Sequence, residues 1–393
     1  MRRRPGLLPL AVVVIGAAAL AGCSAPSGVA APSPTAEAAP SPTPTPTPPT
    51  PEEWAAERVA DMTDEQKAAS LLMLHAPGTD PGAMRALVDQ GIAGVILMGD
   101  NIPGSEGELA ALTADLQADP DAATLIGIDQ EGGIVSRIDW DPAPPPWELR
   151  DQPAEATRDA FAARAGALEA SGVNVNFGIV ADVTDDPGSF IYDRVLGTDP
   201  QSSADRVAAA VEGERGAVAS TVKHFPGHGA APGDSHVSVP SAPLTLDEWR
   251  AGPALPFRAA VDADVELVMT GHLAYPSVDA APASLSPEWH RILRDELGFD
   301  GVLVTDDMLM LQHNGLAEYQ DAGENAIRAV AAGSDLLLYV LPADPSEFGI
   351  SVGGLADSIA GAVADGRIPR ERLDDAAIRV LELRRELSGA SGE

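Results

Sequence analysis

The residues with the clearest chemical potential form one short stretch, Lys223–Gly229, followed closely by Asp234 and His236. These positions hold three of the chain's seven histidines and one of its two lysines. The stretch follows an apolar run at 217–222 and contains Pro226 and two glycines, which interrupt regular structure. It is therefore predicted to be a loop that leaves the C-terminal end of a strand, the kind of segment that often carries catalytic groups.

Asp234 and His236 are two residues apart, a spacing that places both side chains on one face of an extended segment. The carboxylate can then accept a hydrogen bond from one imidazole nitrogen, which leaves the other nitrogen to exchange a proton near neutral pH. Taken alone, such a pair is also typical of a surface loop in which the aspartate stabilises a turn. The neighbouring lysine and histidines favour the proton-transfer interpretation.

Zinc binding is an alternative use of these neighbouring histidines. His224 and His228 are four residues apart, a spacing that places two ligands on one face of a helix. Pro226 and Gly227 lie between them and remove the helix that this spacing requires. The sequence therefore predicts no metal site.

Helical and strand-like segments alternate from Pro51 onward. The runs predicted as strands are 71–74, 92–98, 124–128, 173–180, 217–222, 267–269, 301–304 and 335–340. Such a succession of strands separated by helices is typical of the α/β class and of a parallel sheet closed into a (β/α)8 TIM-type barrel. A doubly wound open sheet with a similar number of strands is the alternative.

Polar residues directly follow five of the predicted strands: Asp129, Asp182, Lys223 with His224, His272, and Asp306 with Asp307. In a barrel the carboxyl ends of the strands open on one face, so residues far apart in sequence meet there. Asp129 and Asp306 could individually be helix caps or turn residues. Arg137 and Arg194 could individually be surface ion pairs. Their shared position after strands favours one common site.

The N-terminal segment resembles a bacterial lipoprotein signal. Three arginines at 2–4 precede an apolar stretch at 7–20 that is too short for a comfortable membrane span. The chain's single cysteine, Cys23, ends the sequence Leu-Ala-Gly-Cys, where such signals are cut and lipidated. We expect removal of residues 1–22 and attachment through a lipid on Cys23 to the outer face of the cytoplasmic membrane. Cleavage nearby without a lipid is the alternative.

The remaining chain is predicted to contain two parts. Residues 23–51 are rich in Pro, Ser, Thr and Ala and are expected to form an extended stalk. Residues 52–390 are expected to form a single catalytic barrel, and the protein is expected to be a monomer. The formal net charge of −34 excludes nucleic acid as a partner and argues against electrostatic binding to anionic lipid.

Three motifs resemble glycoside hydrolase family 3, and within it the single-barrel β-N-acetylhexosaminidases of the NagZ type. They are Ile128–Gly133, Lys223–Gly229 with Asp234–His236, and Leu297–Asp307. The resemblance covers 62–387 and implies a retaining exo-β-N-acetylglucosaminidase that removes terminal N-acetylglucosamine from cell-wall, muropeptide-type saccharides.

The resemblance also implies roles for individual residues. Asp306 is expected to be the nucleophile that forms a covalent glycosyl-enzyme, and His236, oriented by Asp234, the acid and base. The positions that correspond to sugar-binding residues are Asp129, Arg137, Arg194, Lys223 and His224. No cofactor is expected.

Two departures from the family pattern are visible. Leu309 stands where a small residue is usual, and we expect it to narrow or reshape the sugar pocket. Gly178-Ile179 stands where Ala-Pro is common. The segment that leads to Arg194 also matches loosely.

Three other functions remain open. A family 3 β-glucosidase or xylosidase usually adds a second α/β domain that supplies a carboxylate acid/base, whereas this chain carries an Asp-His pair. A phosphorylase is an alternative because a histidine acid/base leaves less negative charge near an incoming phosphate than a glutamate would. A sugar-binding surface lipoprotein without turnover is the non-enzyme alternative.

Overall fold

A computed structural model of the chain describes residues 49–389. The strands in that range are β1 (Leu72–Leu74), β2 (Gly94–Leu97), β3 (Leu125–Ile128), β4 (Val175–Val180), β5 (Ala219–Phe225), β6 (Leu267–Thr270), β7 (Val302–Thr305) and β8 (Leu337–Tyr339). The predicted signal at 1–22, Cys23 and the predicted stalk as far as residue 48 lie outside the described residues.

Helices connect the strands. In the described range they are α1 (Pro51–Ala60), α2 (Asp64–Ala69), α3 (Pro81–Val88), α4 (Glu106–Leu116), α5 (Pro146–Leu149), α6 (Ala154–Ala170), α7 (Pro200–Glu214), α8 (Leu246–Ala251), α9 (Ala254–Asp262), α10 (Pro287–Arg291), α11 (Leu309–His313), α12 (Ala322–Ala332), α13 (Val352–Ala364) and α14 (Arg370–Leu387). A π-helical turn, Ile292–Glu296, extends α10. No helix between residues 49 and 389 is both long and apolar enough to cross a membrane.

The strands form one parallel sheet that closes on itself. Their order is β7-β6-β5-β4-β3-β2-β1-β8, so neighbours in sequence are also neighbours in space. A parallel bridge between Val304 and Leu336 joins the β8 side to β7, and the Thr305 N–H donates to the Leu336 carbonyl over 3.0 Å. The predicted (β/α)8 barrel is confirmed, and the doubly wound open sheet, whose strand order reverses at a switch point, is excluded.

Burial of the strands explains why they were recognisable as continuous apolar runs. Every residue of β2, β3 and β7 is buried. In a barrel, one face of each strand lies in the interior and the other lies under the helices, so neither face needs polar residues. An alternating polar pattern would have indicated a sheet with one solvated face instead.

The end of β5 differs from the sequence prediction. Lys223 and His224 were predicted to begin a loop, but β5 continues to Phe225. Val180 of β4 pairs with Lys223, and Thr270 of β6 pairs with Phe225. Pairing with β4 and β6 therefore extends the strand through Lys223 and His224, which were predicted to lie in a loop because Pro226 and two glycines follow them.

The first helix also departs from the prediction. Thr50 and Glu53 form a reciprocal capping box, in which the Glu53 N–H donates to Thr50 Oγ1 over 3.1 Å and the Thr50 N–H donates to Glu53 Oε2 over 2.9 Å. Pro51, predicted as the last residue of the stalk, is instead the first residue of α1. The Arg385 guanidinium of α14 lies over the Trp54 ring at 5.0 Å, so α1 packs on the last helix.

A buried carboxyl group connects α7 to the barrel. Glu214, the last residue of α7, accepts a hydrogen bond of 2.5 Å from Asn176 Nδ2. Asn176 lies in β4, and its Oδ1 accepts from the Gln130 N–H beyond β3 over 3.2 Å. Burial raises the pKa of Glu214 to about 8, so the group is held neutral in the folded protein around pH 7.

Replacing Glu214 by glutamine removes a pH dependence of stability. The folded pKa of about 8 exceeds the ordinary value of 4.5, so the free energy of unfolding falls as pH rises through that window and levels off above it. The expected slope is at most about 1.4 kcal/mol per pH unit. Urea unfolding of wild type and Glu214→Gln at pH 5, 6.5 and 8 measures how the free energy of unfolding of each protein changes with pH.

The matched control for this prediction is Glu212→Gln, because Glu212 lies on the same helix and is exposed. It is expected to keep the wild-type pH dependence. Glutamine at 214 can still accept from Asn176, so a difference from wild type reports the titration of Glu214. Parallel curves for wild type and Glu214→Gln would show that Glu214 is ionised in the folded state.

Candidate active site

A cavity of about 300 Å³ opens at the carboxyl ends of the strands. Its polar lining residues are Asp129, Glu131, Arg137, Arg194, Lys223, His224, His228, Ser235, His236, Asp306 and Asp307. Seven of the eight predicted site residues are in this set, and the eighth, Asp234, contacts His236. The volume is at the lower end of the roughly 300–1,000 Å³ typical of small-ligand pockets.

Alternating charges form a connected network on one side of the cavity. Lys223 Nζ lies 2.6 Å from both Asp129 Oδ1 and Glu131 Oε1. The Arg194 guanidinium donates two hydrogen bonds to the same Glu131 carboxylate, at 2.7 and 2.8 Å. Burial alone would raise the pKa of Glu131, but Arg194 and Lys223 hold it at about 2. Glu131 is therefore ionised at neutral pH, and its ion pairs with Arg194 and Lys223 position the three side chains relative to one another.

Tight backbone geometry brings Glu131 into this network. Gly132 has a φ of 86°, and a Cβ at that position would lie 2.4 Å from Arg164 Nη2. The Glu131 N–H donates to the Val135 carbonyl over 3.0 Å, which closes the turn. Glycine after Glu131 thus allows the chain to reverse directly beside the cavity.

His224 is held by a second carboxylate. Its Nδ1 lies 2.7 Å from Asp182 Oδ2, and Asp182 is completely buried after β4. The His224 Nε2 atom lies 3.4 Å from Arg194 Nη2. Asp182 therefore fixes the orientation of an imidazole that lines the cavity.

An aromatic cluster anchors the segment that follows β5. The Phe225 ring makes edge-to-face contacts with Trp249 and Trp289 at centroid distances of 5.9 and 5.7 Å. Trp249 Nε1 donates to the Pro226 carbonyl, and Tyr275 Oη donates to the Gly227 carbonyl, each over 2.7 Å. These contacts fix the path of the chain between the strand and the histidines downstream.

Asp306 lies immediately after β7. Its N–H donates to the Thr270 carbonyl over 2.9 Å, and its Oδ1 accepts from the Asp307 N–H over 2.8 Å. Burial raises the pKa of the Asp306 carboxyl, but the nearby His224 and His272 and the Asp307 N–H outweigh it, and the net pKa is lowered. Asp306 is therefore an ionised carboxylate in the cavity at neutral pH.

Asp307 differs from its neighbour. Its Oδ1 accepts from the backbone N–H groups of Leu309 and Val340 over 3.0 and 2.9 Å, which joins the β7 loop to the end of β8. Burial, with a contribution from the Asp306 charge, raises the pKa of Asp307 to about 7. Asp307 therefore holds the loop after β7 in place through these contacts.

The Asp234-His236 pair lies on a more exposed loop. His236 Nδ1 lies 2.6 Å from Asp234 Oδ1, and the same oxygen accepts from the His236 N–H over 2.9 Å. The His236 side chain is 61% exposed. A turn at 235–237, rather than the extended segment that we predicted, brings the two groups together. With Nδ1 donating to the carboxylate, Nε2 is left to carry or accept a proton.

The glycosyl hydrolase family 3 N terminal domain matches residues 63–383. The chain belongs to glycosyl hydrolase family 3. The barrel described above is therefore a family 3 domain. The motifs that carried the resemblance lie at the carboxyl ends of β3, β5 and β7.

Relatives and solved structures agree with this membership. A beta-hexosaminidase of Thiobacillus denitrificans is 37% identical over 280 residues, which cover 68% of this chain and 77% of that protein. A family 3 beta-N-acetylglucosaminidase of Paenibacillus sp. FPU-7 has a TM-score of 0.76 and 33% identity over 84% of this chain. The match spans 64% of that structure, less than two thirds of its length. LpqI of M. tuberculosis has a TM-score of 0.74 and 30% identity, with 84% and 96% of the two chains covered.

Glu131 is a residue of this family 3 site to which the sequence interpretation assigned no function. It was recognised as part of the motif after β3 but was given no role. In the structure it is completely buried and pairs with both Arg194 and Lys223. Its position two residues after Asp129 was the available signal, because a second acid so close to the first needs a cationic partner once buried.

Leu309 does not shape the pocket as predicted. Its side chain is packed in the hydrophobic core, and Met310 is the neighbouring residue that lines the cavity. The Leu309 N–H is held by Asp307 at the start of α11, which turns the side chain away from the site. The departure from the family pattern at Leu309 is thus a matter of core packing.

The structure explains why glycine occupies position 178. It lies in β4, and a Cβ at that position would lie 2.2 Å from Asn176 Nδ2 and 2.6 Å from the Gln130 carbonyl oxygen. The strand register shifts between Asn176 and Ile179. Glycine therefore fits a position of β4 where a side chain would collide with Asn176 and with the backbone that follows β3, and where the register with β5 shifts.

The histidines do not gather into a metal centre within the described part of the chain. His224 and His228 have ring centroids 5.9 Å apart at an interplanar angle of 81°. Between residues 49 and 389, no group of three or more His, Cys, Asp or Glu side chains is arranged to hold a metal ion.

Proposed function

We propose that the protein is a retaining exo-β-N-acetylglucosaminidase. The observation that carries this proposal is the presence in one cavity of an ionised carboxylate, Asp306, and an imidazole, His236, whose other nitrogen is held by Asp234. A nucleophile and a proton carrier are the two groups that a double-displacement glycosidase requires.

In the first step, an Asp306 oxygen attacks the anomeric carbon while protonated His236 gives its Nε2 proton to the departing glycosidic oxygen. The bond to the leaving group breaks, and a covalent glycosyl ester of Asp306 forms. In the second step, neutral His236 takes a proton from water, whose oxygen attacks the anomeric carbon and releases the Asp306 carboxylate. Two inversions give net retention of configuration.

The charged network suits a neutral polyol. Sugar hydroxyls require both donors and acceptors, and Asp129, Arg137, Lys223 and Arg194 present both around the cavity. The three cations among these residues lie within 4 Å of carboxylates, at distances of 2.6 to 3.7 Å. Their charge is already neutralised, which supports water over a phosphate dianion as the second substrate.

The proposal also covers the natural substrate of the enzyme and its location in the cell. Relatives of this chain include beta-hexosaminidases and a beta-N-acetylglucosaminidase, which supports N-acetylglucosamine as the released sugar. We propose cell-wall, muropeptide-type saccharides as its source, and a monomeric enzyme exported and anchored by lipid on Cys23. Intact mass of the membrane-extracted protein tests the anchor, since Cys23→Ser should lack the added lipid mass.

Hydrolysis of an aryl β-N-acetylglucosaminide and of the matching aryl β-glucoside, each with and without inorganic phosphate, tests the reaction. We expect kcat/KM to favour the N-acetyl sugar by at least roughly tenfold, because a site built to hydrogen-bond a substituent discriminates against its loss. Phosphate should change neither rate nor product.

Other outcomes would separate the alternatives. A glycosyl phosphate product would identify a phosphorylase, and preference for the glucoside would identify a β-glucosidase. Binding of N-acetylglucosamine without turnover of either substrate would identify a sugar-binding lipoprotein.

A further inference from the structure

His228 lines the catalytic cavity but has no part in the mechanism above. The residue is 1% exposed, and neither Nδ1 nor Nε2 hydrogen-bonds another residue in the described part of the chain. Buried polar atoms are normally paired, and an unpaired group needs a specific reason such as a bound ligand or water.

Packing fixes the His228 ring. The Phe190 ring contacts it edge to face at a centroid distance of 4.8 Å, and the His224 ring lies 5.9 Å away. The His228 backbone N–H donates to Asp182 Oδ1 over 2.5 Å. The imidazole is therefore held in place by its neighbours, and its own polar atoms are not used to position it.

The charge state of His228 decides what it can bind. Burial lowers the pKa of this histidine, although Asp182 opposes the change, so the ring is neutral around pH 7. A neutral imidazole has one N–H donor and one acceptor nitrogen. The ligand that satisfies both atoms is a neutral group able to accept and to donate a hydrogen bond.

The charged side chains near His228 in the cavity already form ion pairs within the protein. Lys223 and Arg194 are each paired with Glu131, and His224 is paired with Asp182. A ligand that binds those groups must compete with or add to existing ion pairs. A ligand that binds His228 instead satisfies atoms that the protein itself leaves unpaired.

We propose that His228 is a substrate-binding residue that hydrogen-bonds one substituent of the terminal sugar, either a ring hydroxyl or the 2-acetamido group. Both substituents donate and accept, which is the chemistry that the ring offers. This inference rests on the proposed function, because it takes the cavity occupant to be an N-acetylhexosamine.

A substrate-deletion cycle tests the assignment. Wild type and His228→Phe, which keeps a flat ring of similar size, are compared on an aryl β-N-acetylglucosaminide, on its 3-, 4- and 6-deoxy analogues and on the aryl 2-deoxy-β-glucoside, which has no substituent at C2. We expect His228→Phe to lower kcat/KM for the parent by roughly tenfold. Removal of the contacted substituent should cost wild type a similar factor and cost the variant less than about twofold.

The analogue that shows this non-additivity identifies the contact. The 3-, 4- or 6-deoxy sugar identifies a hydroxyl, and the 2-deoxy glucoside identifies the acetamido group. Additive losses on every analogue, or an unchanged kcat/KM for the parent, would overturn the proposal. His290→Phe is the matched control, because His290 is buried on α10 and does not line the cavity. It should reproduce any general cost of losing a buried imidazole without the non-additivity.

Two measures keep the test decisive. If His228→Phe does not fold, His228→Leu, which also has no hydrogen-bonding side-chain atom, replaces it, and the cycle is read in the same way. Calorimetric binding of N-acetylglucosamine and its deoxy forms gives a parallel cycle that needs no turnover. An inactive wild type that still shows non-additive binding would reject the proposed hydrolase while supporting His228, and turnover with additive losses would do the reverse.

Discussion

Asp306→Asn should lower kcat on every β-N-acetylglucosaminide by at least about 10³-fold, because the amide cannot form the glycosyl ester. The fold should be retained. Asparagine Oδ1 can still accept from the Asp307 N–H, the hydrogen bond that Asp306 Oδ1 accepts over 2.8 Å. Steady-state rates, with the unfolding midpoint as a check on folding, measure the two effects.

Two further results make this assignment specific. In Asp306→Ala, azide should enter the vacated position and restore turnover of an activated aryl glycoside, with an α-glycosyl azide as product because only one inversion occurs. Asp307→Asn is the adjacent control, since its amide oxygen can still accept from the Leu309 and Val340 N–H groups. Near-normal kcat in Asp306→Asn together with loss of activity in Asp307→Asn would reverse the roles.

The barrel was predictable because its signals are local. Strands buried on both faces read as apolar runs, and polar residues at their carboxyl ends indicated a shared face. In each case, residues within a short window determine the outcome.

The parts that escaped prediction depend on contacts between distant segments. Lys223 and His224 belong to β5 because β4 and β6 pair with it on either side. Glu131 acquires its role from Arg194, 63 residues away, and from Lys223. The burial that leaves His228 unpaired results from the packing of Phe190 and the loop after β4. The sequence of each segment does not indicate which distant residues will contact it in the fold.

His236→Ala should act very differently on different leaving groups. For saccharides and alkyl glycosides, whose departing oxygen requires a proton, kcat/KM should fall by roughly 10²–10⁴-fold. For a dinitrophenyl glycoside, which leaves without protonation, kcat/KM should change little. Its kcat should still fall, because water attacks the glycosyl-Asp306 ester slowly without a base, and the intermediate should appear as a burst of released phenol.

Azide separates the acid role from the base role in the same variant. Because azide needs no deprotonation, it should restore kcat of His236→Ala on the dinitrophenyl glycoside and yield a β-glycosyl azide, the product of two inversions. Asp234→Asn should weaken both steps less than His236→Ala does, since the amide oxygen can still accept from His236 Nδ1, which lies 2.6 Å from Asp234 Oδ1. Equal losses for good and poor leaving groups, with no response to azide, would assign His236 to binding and leave the proton donor to another group of the cavity.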